Sequence, residues 1–304
     1  MTGVTWTGGV EHWTQKGDVK LFLWEKKASN KGPHAGSVFF VHGSSMASQP
    51  TFDLQVPGRP FSSAMDWFAA QGFDTWTMDN EGYGRSDKGR NINFDISNGA
   101  DDLAAGTAYV LQQTGAKSLL MYGISSGALK AALFAERHPQ RVAKLALDAL
   151  VWTGQGSPTL DQRKKKLPEF LAKNRRAIDR AFVHGIFQRD HPGTADEATI
   201  NAFADAILTL DDSMPTGTYV DMCSKLPLLD PKKILAPCII LRGEHDGIAS
   251  MQDLIEFFKL LPNMNKQFSV MAGISHASFQ QKNYLMAYHI LHAFFSQPEP
   301  EYRG

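Results

Sequence analysis

A serine flanked by glycines carries the first hint of chemistry in this chain. Gly123-Ile124-Ser125-Ser126-Gly127 follows the apolar run Leu119-Leu120-Met121-Tyr122 and precedes a helix-patterned, alanine-rich stretch from Ala128 to Arg137. A serine lifted out of a strand into the first turn of a helix needs glycine on either side, because bulkier residues collide at so sharp a turn. The helix N-terminus then aims backbone N–H groups at whatever sits over the hydroxyl. Five residues of this kind recur by chance, and an ordinary glycine-rich turn is the bland alternative; the strand-then-helix setting gives the motif its weight. A serine hydroxyl is a poor nucleophile at neutral pH. It needs a base within hydrogen-bond reach, and that base must be oriented by a third group.

Ten histidines compete for the role of base. His276, in Gly273-Ile274-Ser275-His276-Ala277, lies just beyond the last strand-like run and before the final helix-like one. His245, His289 and His292 are rivals by residue type, but the last two fall at spacing three on that final helix and read as packing or surface residues. Every strand of a parallel sheet opens its C-terminal end on the same edge, so the His276 loop and the serine turn can converge there. Asp246, after the apolar Ile239-Ile240-Leu241, is the preferred orienting acid, with Glu244 and Asp148 as alternatives. Because His276 must be neutral to accept a proton, activity is expected to fall on the acidic side with a single-proton limb.

Elements must bring these three residues together. Val19 to Trp24, Ser37 to Val41, Thr75 to Met78, Ser118 to Tyr122, Val142 to Leu147, Cys238 to Leu241 and Gln267 to Met271 read as strands. Helical patterns cover Phe61 to Ala70, Gly99 to Gln113, Ala128 to Arg137, Met251 to Leu261 and Tyr284 to Phe295. Alternation of the two predicts an α/β fold, a largely parallel sheet with helices on both faces. Lys16-Gly17-Asp18 marks a turn between strand-like runs from Glu11 to Lys26, so the sheet should begin as an antiparallel hairpin. Thr153 to Pro231 breaks the rhythm: it holds helical patterns at Leu167 to Gln188 and Ala195 to Leu210, Pro and Gly punctuation, and no convincing strand. It reads as a helical insertion.

Composition sets the outer limits. The 304 residues are 43% hydrophobic and 20% charged, an ordinary globular balance. Lys+Arg 31 against Asp+Glu 31 leaves no net field to draw the chain to nucleic acid or to an anionic membrane surface. A small-molecule substrate suits it better. Met1 to Gly9 shows no basic segment followed by an apolar run, and no stretch is apolar for eighteen residues, so a soluble, cytoplasmic protein is expected. Cys223 and Cys238 lie in different predicted elements and read as packing residues rather than a bridge. Neither has a histidine or cysteine partner at ligand spacing, so no metal and no organic cofactor is implied. The oligomeric state is left open.

Taken together, His42-Gly43, Asp79-Asn80-Glu81-Gly82-Tyr83-Gly84-Arg85-Ser86, the Gly123 to Gly127 motif, Arg242-Gly243-Glu244-His245-Asp246-Gly247 and Gly273 to Ala277 resemble the α/β-hydrolase superfamily across nearly the whole chain. The order Ser, Asp, His along the chain is the order of that family. The resemblance implies an oxyanion hole built from the N–H groups of Ser44 and Ser126, with His42, Asp79 and Arg85 in structural roles. It also implies a division into core (1–152), helical cap (153–230) and core (231–304). Dehalogenases and epoxide hydrolases of this fold carry aspartate where Ser125 stands, which argues against those activities.

The cap segments Trp152-Thr153-Gly154, Ser157 to Leu160, Asn174-Arg175-Arg176 and Pro215 to Tyr219 resemble bacterial monoalkyl phthalate esterases. That narrower resemblance implies a bulky aromatic half-ester with a free carboxylate. Trp152, Phe170, Phe182, Phe187 and Met214 are the candidate pocket residues, against the plainer reading of helix-spaced aromatics as core. Arg175 and Arg176, placed in a cap helix, are candidate carboxylate partners, and Arg163 to Lys166 is a second basic run. Solvated surface charge is the plainer reading of both. Three functions stay in view: ester hydrolysis through an acyl-enzyme, carbon–carbon, amide or carbamate cleavage by the same triad, and ligand binding without turnover.

Overall fold

The computed structural model describes residues 6–30 and 32–302. Residues 1–5, part of the amino-terminal stretch scanned above for a leader, lie outside the described residues, as do 31 and 303–304. The chain opens with the predicted hairpin, β1 (Val10–Lys16) and β2 (Val19–Lys26), turned at Gly17 with φ 58°. Next come β3 (Gly36–Val41), α1 (Ser48–Phe52), α2 (Ala64–Ala70), β4 (Phe73–Met78), α3 (Ile96–Thr114), β5 (Leu119–Ile124), α4 (Ser126–Arg137) and β6 (Val142–Asp148). The insertion supplies α5 (Pro158–Lys164), α6 (Leu167–Ala172), β7 (Arg175–Ala177), α7 (Arg180–Gln188), α8 (Glu197–Leu210), β8 (Ser213–Pro215) and α9 (Gly217–Ser224). The core resumes with β9 (Cys238–Gly243), α10 (Met251–Leu260), β10 (Lys266–Met271) and α11 (Tyr284–Ser296).

Eight strands form one sheet in the order β1-β2-β4-β3-β5-β6-β9-β10. β2 is antiparallel to β1 and β4, and every later pairing is parallel. Side-chain alternation explains why helices cover both faces. In β3, Phe39 and Val41 enter one apolar cluster while Val38 and Phe40 enter the other. β2 divides in the same way, with Leu21 and Leu23 on one face and Phe22 and Trp24 on the other. Strands buried on both sides read as continuous apolar runs, which is what made them visible.

Two expectations need correction. The helix placed from Phe61 begins at Ala64, because the Ser63 side chain accepts from the Asp66 N–H and caps it there. The helical pattern from Leu167 to Gln188 is broken by β7, which pairs antiparallel with β8. The insertion therefore contains strand, and Arg175 and Arg176 sit on β7 rather than in a helix. Lys173 is already extended, with φ -144° and ψ 139°, which ends α6, and Asp179 accepts from the Phe182 N–H to start α7. Helices α5 and α9 went unread at sequence level.

Candidate active site

Ser125 stands between β5 and α4 with φ 58°, a backbone conformation that non-glycine residues adopt only when their surroundings enforce it. The glycines on either side have steric reasons to be there. A Cβ on Gly123 would lie 2.4 Å from the Gly127 carbonyl oxygen, and one on Gly127 would lie 2.2 Å from that of Val41. Ser126 opens α4, so its N–H has no acceptor within the helix.

The three residues singled out from the sequence meet at the C-terminal edge of the sheet. His276 Nε2 lies 2.9 Å from Ser125 Oγ, and its Nδ1 lies 3.0 and 3.1 Å from the Asp246 carboxylate oxygens. Asp246 Oδ1 also accepts from the N–H groups of Ile248 (2.8 Å) and Ala249 (3.1 Å). Burial alone would raise the Asp246 pKa, but the charge and hydrogen bond of His276 and these two N–H donors outweigh it and hold the carboxyl far below its ordinary value. It stays an anion, as an orienting acid must.

The rivals are occupied elsewhere. Asp148 is fully buried, accepts from the Tyr122 hydroxyl at 2.7 Å, and burial pushes its pKa up to about 7. Glu244 accepts from the Gly273 N–H, and His245 stacks on His191 at 3.9 Å. His289 and His292 pack edge-on against Trp67. His42 Nε2 accepts from the Asn80 N–H, which leaves Nδ1–H to donate to the Gly43 carbonyl; it braces the loop. Asp79 holds the same region through Ser48 and the Arg85 N–H.

Ser44 donates to the Ser126 hydroxyl at 2.6 Å and accepts from Thr218 at 2.8 Å, which ties the loop after β3 to the start of α4. A cavity of about 30 Å³ lies here, lined among others by Ser44, Ser125, Arg163, Arg189, Tyr219 and His276. An outer cavity of about 570 Å³ shares Ser45, Arg163, Ile186, Arg189 and Tyr219 with it. That volume falls in the range of small-molecule sites, roughly 300 to 1,000 Å³.

Of the residues proposed for the pocket, Phe170, Phe182 and Arg176 line the outer cavity, with the Arg176 guanidinium 4.2 Å from the Phe182 ring centre. Four others do not line either cavity. Trp152 gives its N–H to Asp253 and its indole N–H to the Leu229 carbonyl, and packs on Phe257. Phe187 is buried against Phe203, and Met214 is buried beside the Tyr219 hydroxyl. Arg175 spends its guanidinium on Ser213 and the Gly82 carbonyl, which ties β7 to the core.

Tyr219, Ile186, Arg189 and Asp190 were missed. Phe182, Ile186 and Arg189 recur at spacings four and three on one face of α7 and its C-terminus, a helical stripe facing the cavity. Thr159 and Arg163 do the same on α5. The helical spacing was the available signal; what it faced was not.

The family model described as serine aminopeptidase, S33, matches residues 32–283, and the chain belongs to this family of α/β-hydrolases. Solved structures share the fold. A soluble variant of monoglyceride lipase from Saccharomyces cerevisiae superposes with a TM-score of 0.70 at 18% identity, covering 95% of each chain. An esterase from Exiguobacterium antarcticum gives 0.70 at 16% identity, covering 95% of this chain and 100% of that one. Naproxen esterase from Bacillus subtilis gives 0.65 at 16% identity, covering 94% and 91%. No curated protein matches the chain by sequence. Among the described residues no helix is long and apolar enough to cross a membrane.

Proposed function

We propose that the protein hydrolyses a carboxylic ester through an acyl-enzyme on Ser125. The observation that carries this reading is the unbroken relay from Ser125 Oγ through His276 to Asp246. His276 takes the hydroxyl proton as Ser125 attacks the carbonyl, and the tetrahedral oxyanion rests on the N–H groups of Ser44 and Ser126. His276 then returns the proton to the departing alcohol. Water, activated by the same imidazole, releases the acid and frees Ser125. The insertion serves as a cap, and the cavities that it shares with the core hold the two arms of the ester.

The substrate we propose is a bulky aromatic ester with a free carboxylate, of which a monoalkyl phthalate is an example. Arg163, rather than Arg175, is the partner for that carboxylate. It lines both cavities, the inner one together with Ser125 and His276, and among the described residues no carboxylate or carbonyl oxygen hydrogen-bonds to its guanidinium. Burial and the charge of Arg189 push its pKa down to about 10, so it remains a cation in search of an anion. A monoalkyl phthalate is therefore expected to show a higher kcat/KM than the matching dialkyl ester. Arg163→Ala should erase that preference, by about tenfold or more, while sparing a neutral aryl ester. A panel that includes an aminoacyl amide and a vinylogous diketone separates ester hydrolysis from the other reactions of such a triad. Equal rates on mono- and diester discard the carboxylate partner, and turnover by Ser125→Ala discards the triad.

A further inference from the structure

The end of α7 brings another charge to the triad. Gly247 stands next to Asp246, and a Cβ there would lie 2.5 Å from Asp190 Oδ1 and 2.7 Å from the Thr159 hydroxyl. Asp190 stands directly over the acid loop. One carboxylate oxygen of Asp190, one of Asp246 and a ring nitrogen of His276 all lie within 4.8 Å of one another. The Asp190 side chain is 2% exposed.

We propose that Asp190 is a positioning residue for His276: a second carboxylate, carried by the cap, which stabilises the imidazolium formed as Ser125 gives up its proton and ties the strength of the base to the seat of the cap. The inference rests on the triad reading above. Three hydrogen bonds from two partners fix the Asp190 carboxylate. Arg189 reaches Asp190 through Nε at 3.0 Å and Nη2 at 2.9 Å, and the Thr159 hydroxyl donates at 2.7 Å. The arginine lets two carboxylates stand this close, since like charges otherwise drive one of them to take a proton. Burial would raise the Asp190 pKa, but Arg189, His276 and Thr159 outweigh it and hold it below its ordinary value.

Two stretches of the cap, α5 and the residues after α7, grip both loops of the triad. Thr159 N–H donates to the Gly247 carbonyl, His191 stacks on His245, and Thr194 meets the Ser275 hydroxyl at 3.2 Å. Arg59 of the core reaches Asp196 and Thr199 from below. The charged and titratable groups around His276 are thus Asp246 from the loop after β9, Asp190 and Arg189 from the end of α7, Arg163 from α5 and Tyr219 from α9. Asp148 at the end of β6 stands behind Asp246, and the His191–His245 stack lies at the side.

The test uses the full chain and a fluorophosphonate probe, whose rate of attachment to Ser125 reads the base without any assumption about substrate. Asp190→Asn removes the anion, keeps the shape and leaves Arg189 as an uncompensated cation. Arg189→Gln does the opposite. A carboxylate near an imidazole favours the protonated form and a cation disfavours it, so the acid limb of the labelling rate should move down by about one pH unit in Asp190→Asn and up by a similar amount in Arg189→Gln. A purely structural role has no reason to give shifts of opposite sign. If one variant does not fold, the sign seen in the other decides. Limbs that coincide with the wild type, or that move the same way in both variants, overturn the proposal. Labelling of the wild type elsewhere than Ser125 overturns the triad itself, and this inference with it.

Discussion

Asp246 and Asp148, the two carboxylates that compete for the role of orienting acid, meet different partners. Asp246 meets an imidazole and two backbone N–H donors, whereas Asp148 meets a tyrosine hydroxyl in an apolar setting. Asp246→Asn should therefore lower kcat by about a thousandfold to ten-thousandfold, through loss of the productive tautomer. Asp148→Asn should leave kcat within about threefold of the wild type, and kinetics on any turned-over aryl ester compares the two. Asp148 also has a stability signature. Its carboxyl titrates near 3.8 ordinarily but at about 7 in the fold. With the folded value raised, its stabilising contribution is complete below about pH 4 and is lost as pH rises through about 7. The melting temperature of Asp148→Asn relative to the wild type should thus climb between those values and then level off; a constant difference would contradict the raised pKa. At sequence level Asp148 stayed open because strand alternation does not say which face a terminal residue takes. That Asp246 and His276 would meet was legible because loops after parallel strands share one edge.

At the scale of elements, the serine turn is the tightest construction in the fold. The loop after β3 passes so close to α4 that Gly127 has room for no side chain. Gly127→Ala should cost about 3 kcal/mol, as overpacking against backbone does, measured by urea unfolding. Gly185, on α7, has no atom within 4 Å of a Cβ built there, so Gly185→Ala should be neutral or slightly stabilising. Equal losses at both positions would mean that the close approach is not what Gly127 serves. The strands and helices of the core were readable because each is a run with one period and a bounded length. β7 and β8 were not, since three residues are too few to show a period, and Arg175-Arg176 favours helix by composition. Only the pairing of the two segments, distant in sequence, makes them strand.

For the molecule as a whole, the site is an agreement between two parts of the chain. The core sheet edge brings Ser125, His276 and Asp246 within hydrogen-bond reach of one another. The residues from α5 to α9 supply most of the outer cavity's wall, the guanidinium of Arg163 and the carboxylate of Asp190. The meeting of Ser125, His276 and Asp246 could be read from the order of strands and loops, but the walls could not, because which face of α5 or α7 turns inward depends on how those helices sit. Trp152, Phe187 and Met214 are apolar residues that serve packing, whereas Arg163 and Arg189 are polar residues that turn toward the cavity. Turnover through Ser125 leaves a covalent trace. It is tested most directly by mixing the protein with excess activated aryl ester, quenching in acid within the first turnovers, and locating any acyl group by peptide mass spectrometry. One acyl group on Ser125, absent from Ser125→Ala and accumulating with a burst of released phenol, is the result predicted. Sustained hydrolysis with the acyl group on another residue, or with equal rates in Ser125→Ala, would contradict it.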